Sequence, residues 1–333
     1  MPEETPILTS PPPKKKRRWL RLLLGLPVLA VIWYFVGKSL IASFRAVNWS
    51  ELTIHWGWLA VTMIVLIAAR LTNALNCRNT LGAMGHAVKY RHVVPIIWVA
   101  SLGRYIPGKM AVVAGATFML TRLGIRATAA LAALFLATAL MILLSLMACT
   151  PLMFTAAMRE GFPLGYILAP AMLAVGLVCL HPRVFTRLVN LALVKMKREP
   201  LPNALRLGPY LKAVGMTVIR TLLLGVSLWT TARIFVPVPL AGLATSLGAG
   251  AMASVAGFLA VFAPAGLGAH EAVYFLTMKS LMSLAELGLM VVLFRFLNLV
   301  ADAITGSIGM LMLKQIGLDR ASIHPPQPTP QTV

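Results

Sequence analysis

Ala263-Pro264-Ala265-Gly266-Leu267-Gly268-Ala269-His270-Glu271 stands at the centre of a stretch, Ser254–Asp302, that is otherwise largely apolar. Proline lacks the N–H that an interior helical turn needs and clashes with the carbonyl four residues before it, and the glycines add backbone freedom, so a helix is expected to break here. An imidazole and a carboxylate follow at once. In hydrocarbon, non-helical backbone is tolerated only where it is buried in protein or lines a water-filled cavity, so this break is where function is expected.

Composition places the break in a membrane. Hydrophobic residues make up 59% of the chain and charged residues 12%, whereas soluble chains are about a quarter charged. The expected fold is an all-α polytopic membrane protein. Nearly all of its 333 residues fall in apolar segments and short connections. A single membrane domain over residues 19–315 is therefore expected, between a basic disordered tail (1–18) and a disordered C-terminal tail (316–333), with no separate soluble catalytic domain.

The formal charge of +21, from 30 Lys+Arg against 9 Asp+Glu, is carried in clusters that flank apolar segments. That is the distribution the positive-inside rule and anionic lipid surfaces produce, and no nucleic-acid-binding motif accompanies it, so nucleic acid is not an expected partner. Cys77, Cys149 and Cys179 are isolated in or beside apolar runs and read as small hydrophobes.

Taken in order, Lys14-Lys15-Lys16-Arg17-Arg18 precedes the apolar Leu22–Val36, read as an uncleaved first helix with a cytoplasmic N-terminus. A second helix is expected over Gly57–Asn76. On it Arg70, Asn73 and Asn76 share a face, either lining a polar pathway or, for Arg70, snorkelling outward. Val93–Thr121 is interrupted at Ser101-Leu102-Gly103-Arg104-Tyr105-Ile106-Pro107-Gly108-Lys109. Each remaining half is about a dozen residues, too short for the roughly twenty a crossing needs, which predicts a re-entrant hairpin from the cytoplasmic side. Thr128–Cys149 and Leu164–Leu180 then span, and the basic connection over residues 181–212 holds Phe185–Met196, either an amphipathic surface helix or a solvated connector. Lys212–Phe235 crosses outward, Ala241–Phe262 with His270–Leu281 forms a second re-entrant pair from outside, and Leu287–Leu313 returns. The total is six spans plus two hairpins. Eight full spans is the alternative, because Ala241–Phe262 is long enough to cross alone.

The two interruptions look related. Pro107 and Pro264, Phe118 and Phe275, and Arg122 and Lys279 are each 157 residues apart. Gly/Pro-broken segments at matching positions of two inverted halves point to a transporter binding site, and the N–H groups freed at such breaks favour anions. Candidate residues are therefore Arg104, Pro107, Gly108 and Lys109 at the first break, and Pro264, Gly266, Gly268, His270 and Glu271 at the second. Arg295, Asn298 and Asp302 join them because their spacing puts them on one face of the last helix, where Arg295 and Asp302 can pair directly or through Asn298. A carboxylate in the membrane needs a partner or water. Glu286 is read instead as a helix-start residue at the membrane edge.

Catalytic chemistry finds little support. His270-Glu271 lacks the second histidine of a zinc motif, with Tyr274 in its place. Gly266-Leu267-Gly268 lacks the third glycine and preceding strand of a dinucleotide loop. There is no nucleophile, base and orienter set, no metal cluster and no ATP-binding motif, so no cofactor and no catalytic residue is expected.

Gly103-Arg104-Tyr105-Ile106-Pro107-Gly108-Lys109, then Arg122-Leu123-Gly124-Ile125, then Pro264-Ala265-Gly266-Leu267-Gly268-Ala269-His270-Glu271 with Arg295 downstream, resemble the membrane region of lysylphosphatidylglycerol synthases and of related stand-alone flippase-like proteins. The resemblance covers about residues 20–315. Ala265 departs from the family's P-G-G-x-G-x-x-E pattern at one glycine, and Lys109 stands where many members carry another. The resemblance implies movement or binding of a lipid, either an anionic phospholipid or an isoprenoid or hopanoid lipid. The expected setting is a bacterial inner membrane with both termini cytoplasmic. In that reading Arg104 and Lys109 hold the headgroup, and Glu271, Arg295 and Asp302 gate access or carry a coupling proton. A membrane enzyme or a non-catalytic scaffold of a polyprenyl-glycan or hopanoid pathway are the rival readings. Further expected partners are a second copy of the chain or enzymes of the lipid's pathway.

Overall fold

A computed structural model of the chain describes residues 54–105, 110–154, 165–195, 200, 205–260, 266 and 268–317. The expected first helix at Leu22–Val36, the N-terminal tail and residues 318–333 of the C-terminal tail lie outside these residues, as do Pro107, Gly108, Lys109 and Pro264. Among the described residues every regular element is helical. They are α1 (Trp56–Ala83), α2 (Tyr90–Ser101), α3 (Met110–Thr121), α4 (Ala127–Ala148), α5 (Gly165–Leu180), α6 (Pro182–Lys195), α7 (Leu207–Ala232), α8 (Gly242–Leu259), α9 (Ala269–Met278) and α10 (Leu284–Gln315). Short 3-10 turns follow α2 (Leu102–Tyr105) and α4 (Thr150–Phe154).

Five of these helices, α1, α4, α7, α8 and α10, are long and apolar enough to cross a bilayer, and a sixth crossing is counted if α5 and α6 form one bent span. The chain is a multi-pass membrane protein. Ile64, Val175, Leu177, Leu222 and Leu311 point outward, as lipid-facing residues must when hydrocarbon is the solvent.

α1 and α7 run antiparallel and pack along their length. The N–H of His55, before α1, donates to the Ile234 carbonyl beyond the end of α7 (3.0 Å), and the N–H of Arg206, before α7, donates to the last α1 carbonyl, Ala83 (2.9 Å). Thr62 and Thr230 hydrogen-bond between them at 2.8 Å. Because the two helices point oppositely, the segments that follow them enter the bundle from opposite ends.

Each of those segments is a re-entrant hairpin. α2 and α3 are 12 residues each, about 18 Å of helix against a hydrocarbon core of about 30 Å. They start and finish at the same end, where Val93, Leu120 and Ile125 pack with Leu81 and Leu313. α9 has 10 residues, and its end at Met278 shares the opposite core with Val238 and Met282, while the start of α8 at Gly242 abuts Leu281. The alternative of eight full spans is thereby corrected: α8 is long enough to cross, but the chain returns to the side it came from. The correspondence at a spacing of 157 extends further than the matched residues, since α4 begins at Ala127 and α10 at Leu284.

The end of the bundle where α1 finishes and α7 begins carries Arg78, Lys89, Arg91 and Arg206. The opposite end carries Arg233, whose guanidinium stacks on Trp58 (4.5 Å) and Trp229 (4.7 Å), an arrangement typical of an aromatic belt. α6 turns 90° away from α5. It buries Phe185 and Val189 against Tyr210 and leaves Leu188, Leu191 and Val194 exposed. That apolar face, with Arg183, Arg187 and Lys195 on the same helix, matches a helix lying in the interface plane. Glu286 holds the place expected of it: it sits in the first turn of α10 and accepts from the N–H of Ser283, the N-cap, at 2.8 Å.

Candidate functional site

The two hairpin tips converge on the middle of α10. Its 32 residues place Arg295 and Asp302 near the centre, about two turns apart. Arg70 lies midway along α1 and Arg220 midway along the antiparallel α7, so the two are at similar depth. A cavity of about 190 Å³ opens between these groups, lined by Arg70, Arg104, Arg220, Arg295, Asp302 and apolar and small residues of α4, α7, α8 and α9. It lies between two hydrophobic cores, one built around Leu81, Val93 and Leu313 and the other around Trp229, Val273 and Met290.

The first ionic centre is built on Asp302, which is 2% exposed. Arg70 Nε donates to Oδ1 at 2.5 Å. Tyr105, at the tip of the first hairpin, donates its hydroxyl to Oδ2 at 2.7 Å, and Arg104 Nη1 stands 3.3 Å from the same oxygen. Asn298 accepts from Arg70 Nη2 at 2.7 Å and donates to the Phe294 carbonyl one turn back on its own helix. The expected pairing of Asp302 with Arg295 is thus corrected. Asn298 does bridge, but towards Arg70, because α1 brings that side chain into the bundle where it cannot snorkel.

The second centre is built on Glu271, 4% exposed. Arg295 grips it with two parallel donors, Nε to Oε1 at 2.5 Å and Nη2 to Oε2 at 2.8 Å, the planar fork geometry that makes guanidinium–carboxylate pairs strong. Arg295 Nη2 also donates to the Gly266 carbonyl at 3.2 Å, and Glu271 Oε2 accepts from the N–H of Gly268 at 2.7 Å. Gly266 and Gly268 have φ of 67° and 85°, a left-handed backbone that side-chain-bearing residues adopt at a cost. The glycines therefore let the chain turn into α9, and Glu271, three residues past the N-cap, ties that turn to α10.

His270 lines the cavity and meets Tyr274 edge-on at 6.3 Å, and Tyr274 in turn meets Phe294 at 5.8 Å. The His270 imidazole fills the space where Gly257 of α8 would carry a side chain: a Cβ there would collide with Nε2. α8 and α9 can approach this closely only because position 257 is glycine.

The chain's membership follows from a match over most of its length. The family model described as the lysylphosphatidylglycerol synthase TM region matches residues 18–306. The chain belongs to that family. It matches no curated protein.

Within this member of the lysylphosphatidylglycerol synthase TM family, Arg104, His270, Arg295, Asn298 and Asp302 line one cavity, while Gly266, Gly268 and Glu271 stand behind Arg295, joined to it, Gly268 through Glu271, by hydrogen bonds. Pro107, Gly108, Lys109 and Pro264 lie outside the described residues. Tyr105, Arg220 and Ser254 contribute without being expected from sequence, and Arg70, open in the sequence between a pathway lining and snorkelling, proves to line the cavity. Arg70 and Arg220 carry a usable signal, since each is a lone arginine at the centre of a span, where a cation is expensive and seldom without function. Tyr105 carries none, as an aromatic beside a break is an ordinary interfacial residue.

Proposed function

We propose that this chain binds a lipid with an anionic headgroup and moves it across a bacterial inner membrane. The observation that carries this reading is the cavity at mid-depth, where the tips of two hairpins entering from opposite ends meet and, among the described residues, four guanidinium groups and one carboxylate, Asp302, line the space, with Glu271 behind Arg295. Transporters of inverted-repeat design hold substrate at this level, between broken helices. The excess of positive charge selects an anion, and the surrounding apolar belt leaves a lipid's tails in hydrocarbon while its headgroup crosses. Membership of a family named for a phospholipid synthase's membrane region supports lipid as the substrate class. The end carrying Arg78, Lys89, Arg91 and Arg206 is assigned to the cytoplasm by the positive-inside rule.

The test is lipid movement in proteoliposomes, using headgroup-labelled phospholipids and labelled isoprenoid lipids, with and without an imposed proton gradient. The expected result is movement of an anionic lipid class that is lost in a Glu271→Gln protein reconstituted at equal folded amounts. Failure of well-folded protein to move any lipid under either condition would overturn the reading.

A further inference from the structure

We infer that Arg220 is the residue that takes the ligand's charge, and that the ligand's headgroup is a phosphate ester with at most a small substituent, not a glycan. The inference rests on the lipid-binding reading above and makes it more specific.

Most of the cavity's charges already have partners. Arg295 is committed to Glu271 and the Gly266 carbonyl. Arg70 is committed to Asp302 and Asn298, and Arg104 uses Nε on the Ser101 carbonyl and faces Asp302 with Nη1. Both carboxylates are therefore taken. Arg220 is different: its Nη1 is buried and has no hydrogen-bond partner among the described residues. Among the described residues, Arg70 and Arg104 act on it with charges of its own sign, and Asp302, which lines the same cavity, is taken up by those two. A guanidinium stays protonated under all ordinary conditions and presents five donors in a fixed fork.

A cation at the centre of a membrane span, with an unpartnered donor and two other cations near it, is unfavourable in the empty protein. It becomes favourable when an anion arrives. Phosphate suits it best, because its several oxygens can accept from Arg220 and still reach Arg104, and planar two-donor contacts to phosphate are the guanidinium's characteristic mode. The second residue of the cradle is Ser254 of α8. It lines the same cavity, and its hydroxyl is already turned to the Gly250 carbonyl at 2.8 Å, leaving the oxygen's lone pairs for a substituent's hydroxyl.

Size sets the rest of the class. The cavity's 190 Å³ is the room of about six water molecules, below the roughly 300–1,000 Å³ of pockets that hold drug-sized ligands. A phosphate bearing a glycerol-sized group fits that volume. A diphosphate carrying a disaccharide exceeds it and would have to extend beyond the cavity.

The experiment measures binding apart from transport. The full chain in detergent is titrated with short-chain phosphatidylglycerol, short-chain phosphatidylcholine, a polyprenyl diphosphate disaccharide and inorganic phosphate, for the native protein, Arg220→Gln and Arg220→Lys. Expected is preference for phosphatidylglycerol over the other three probes, weakened at least about tenfold by Arg220→Gln and partly restored by Arg220→Lys. Without ligand, Arg220→Gln should raise Tm by about 2–4 °C, since it removes a half-buried charge whose Nη1 is without a partner; a residue kept for structure would lower it. Unchanged phosphatidylglycerol binding in Arg220→Gln overturns the inference, as does tight binding of the disaccharide lipid. Inorganic phosphate bound as well as phosphatidylglycerol would make this a free-anion site and overturn the headgroup assignment. Lipid movement measured alongside separates the two readings: movement that ignores Arg220 sinks this inference alone, whereas Arg220-dependent binding without movement sinks translocation alone.

Discussion

The Asp302 and Glu271 centres are both buried carboxylates held by arginine, yet they do different work. Asp302 joins parts of the chain 232 and 197 residues away, Arg70 and Tyr105, and so ties α1 and the first hairpin to the last helix. Glu271 reaches Arg295 only 24 residues on and its own helix start, and so shapes one hairpin from within. The same chemistry serves as a clasp between halves in one place and as a local brace in the other. Sequence separation, not burial, distinguishes them, because the far-separated contact forms only after both halves are assembled.

That contrast makes graded predictions. Asp302→Asn should be the most damaging change, leaving Arg70, at 8% side-chain exposure, buried without its counter-ion, for a cost of about 3–5 kcal/mol. Thermal unfolding in detergent should show a large drop in Tm, and limited proteolysis should cut between the halves; if only the second hairpin loosens, the clasp reading is wrong. Glu271→Gln should cost less, about 1.5–3 kcal/mol, because the amide keeps one acceptor and Arg295 is 23% exposed. Hydrogen exchange should rise over 266–278 while the Asp302 region stays protected. Gly268→Ala tests the brace from its backbone side: with φ of 85° it should lose about 1–2 kcal/mol, and combined with Glu271→Gln it should fall short of additivity because both act on one turn. The smallest effect is expected from Glu286→Gln. This residue makes the same contact to its helix start as Glu271 does, but in exposed hydrogen bonds and without an arginine. A change in Tm of more than a degree or two would show that the cap alone, rather than the ion pair, accounts for much of Glu271's contribution.

The same two centres mark where sequence reasoning stops. The second break is legible because a proline and two glycines inside an apolar run interrupt a helix whatever surrounds them, and Glu271 stands beside them. Arg295 is legible from the same region, but its partner is not: helical spacing shows which residues share a face of α10, not which neighbouring element supplies the charge. Asp302 sits one turn beyond Asn298 and two beyond Arg295, so spacing alone favours a pairing within the helix, and only the packing of α1 delivers Arg70 instead. Arg220 is visible in the sequence as a lone charge in a span, which marks it for function without naming its partner.

What the sequence alone determined was the solvent and the breaks. Composition required a bilayer, helix periods and lengths gave spans and two segments too short to cross, and Gly/Pro chemistry located the interruptions, all of them properties of residues near one another along the chain. What only the tertiary structure decided was the pairing of charges and the place of the cavity. An ion pair is set by distances of a few ångströms between side chains on different helices, and those distances exist only once α1 and α7 lie antiparallel and both hairpin tips meet α10.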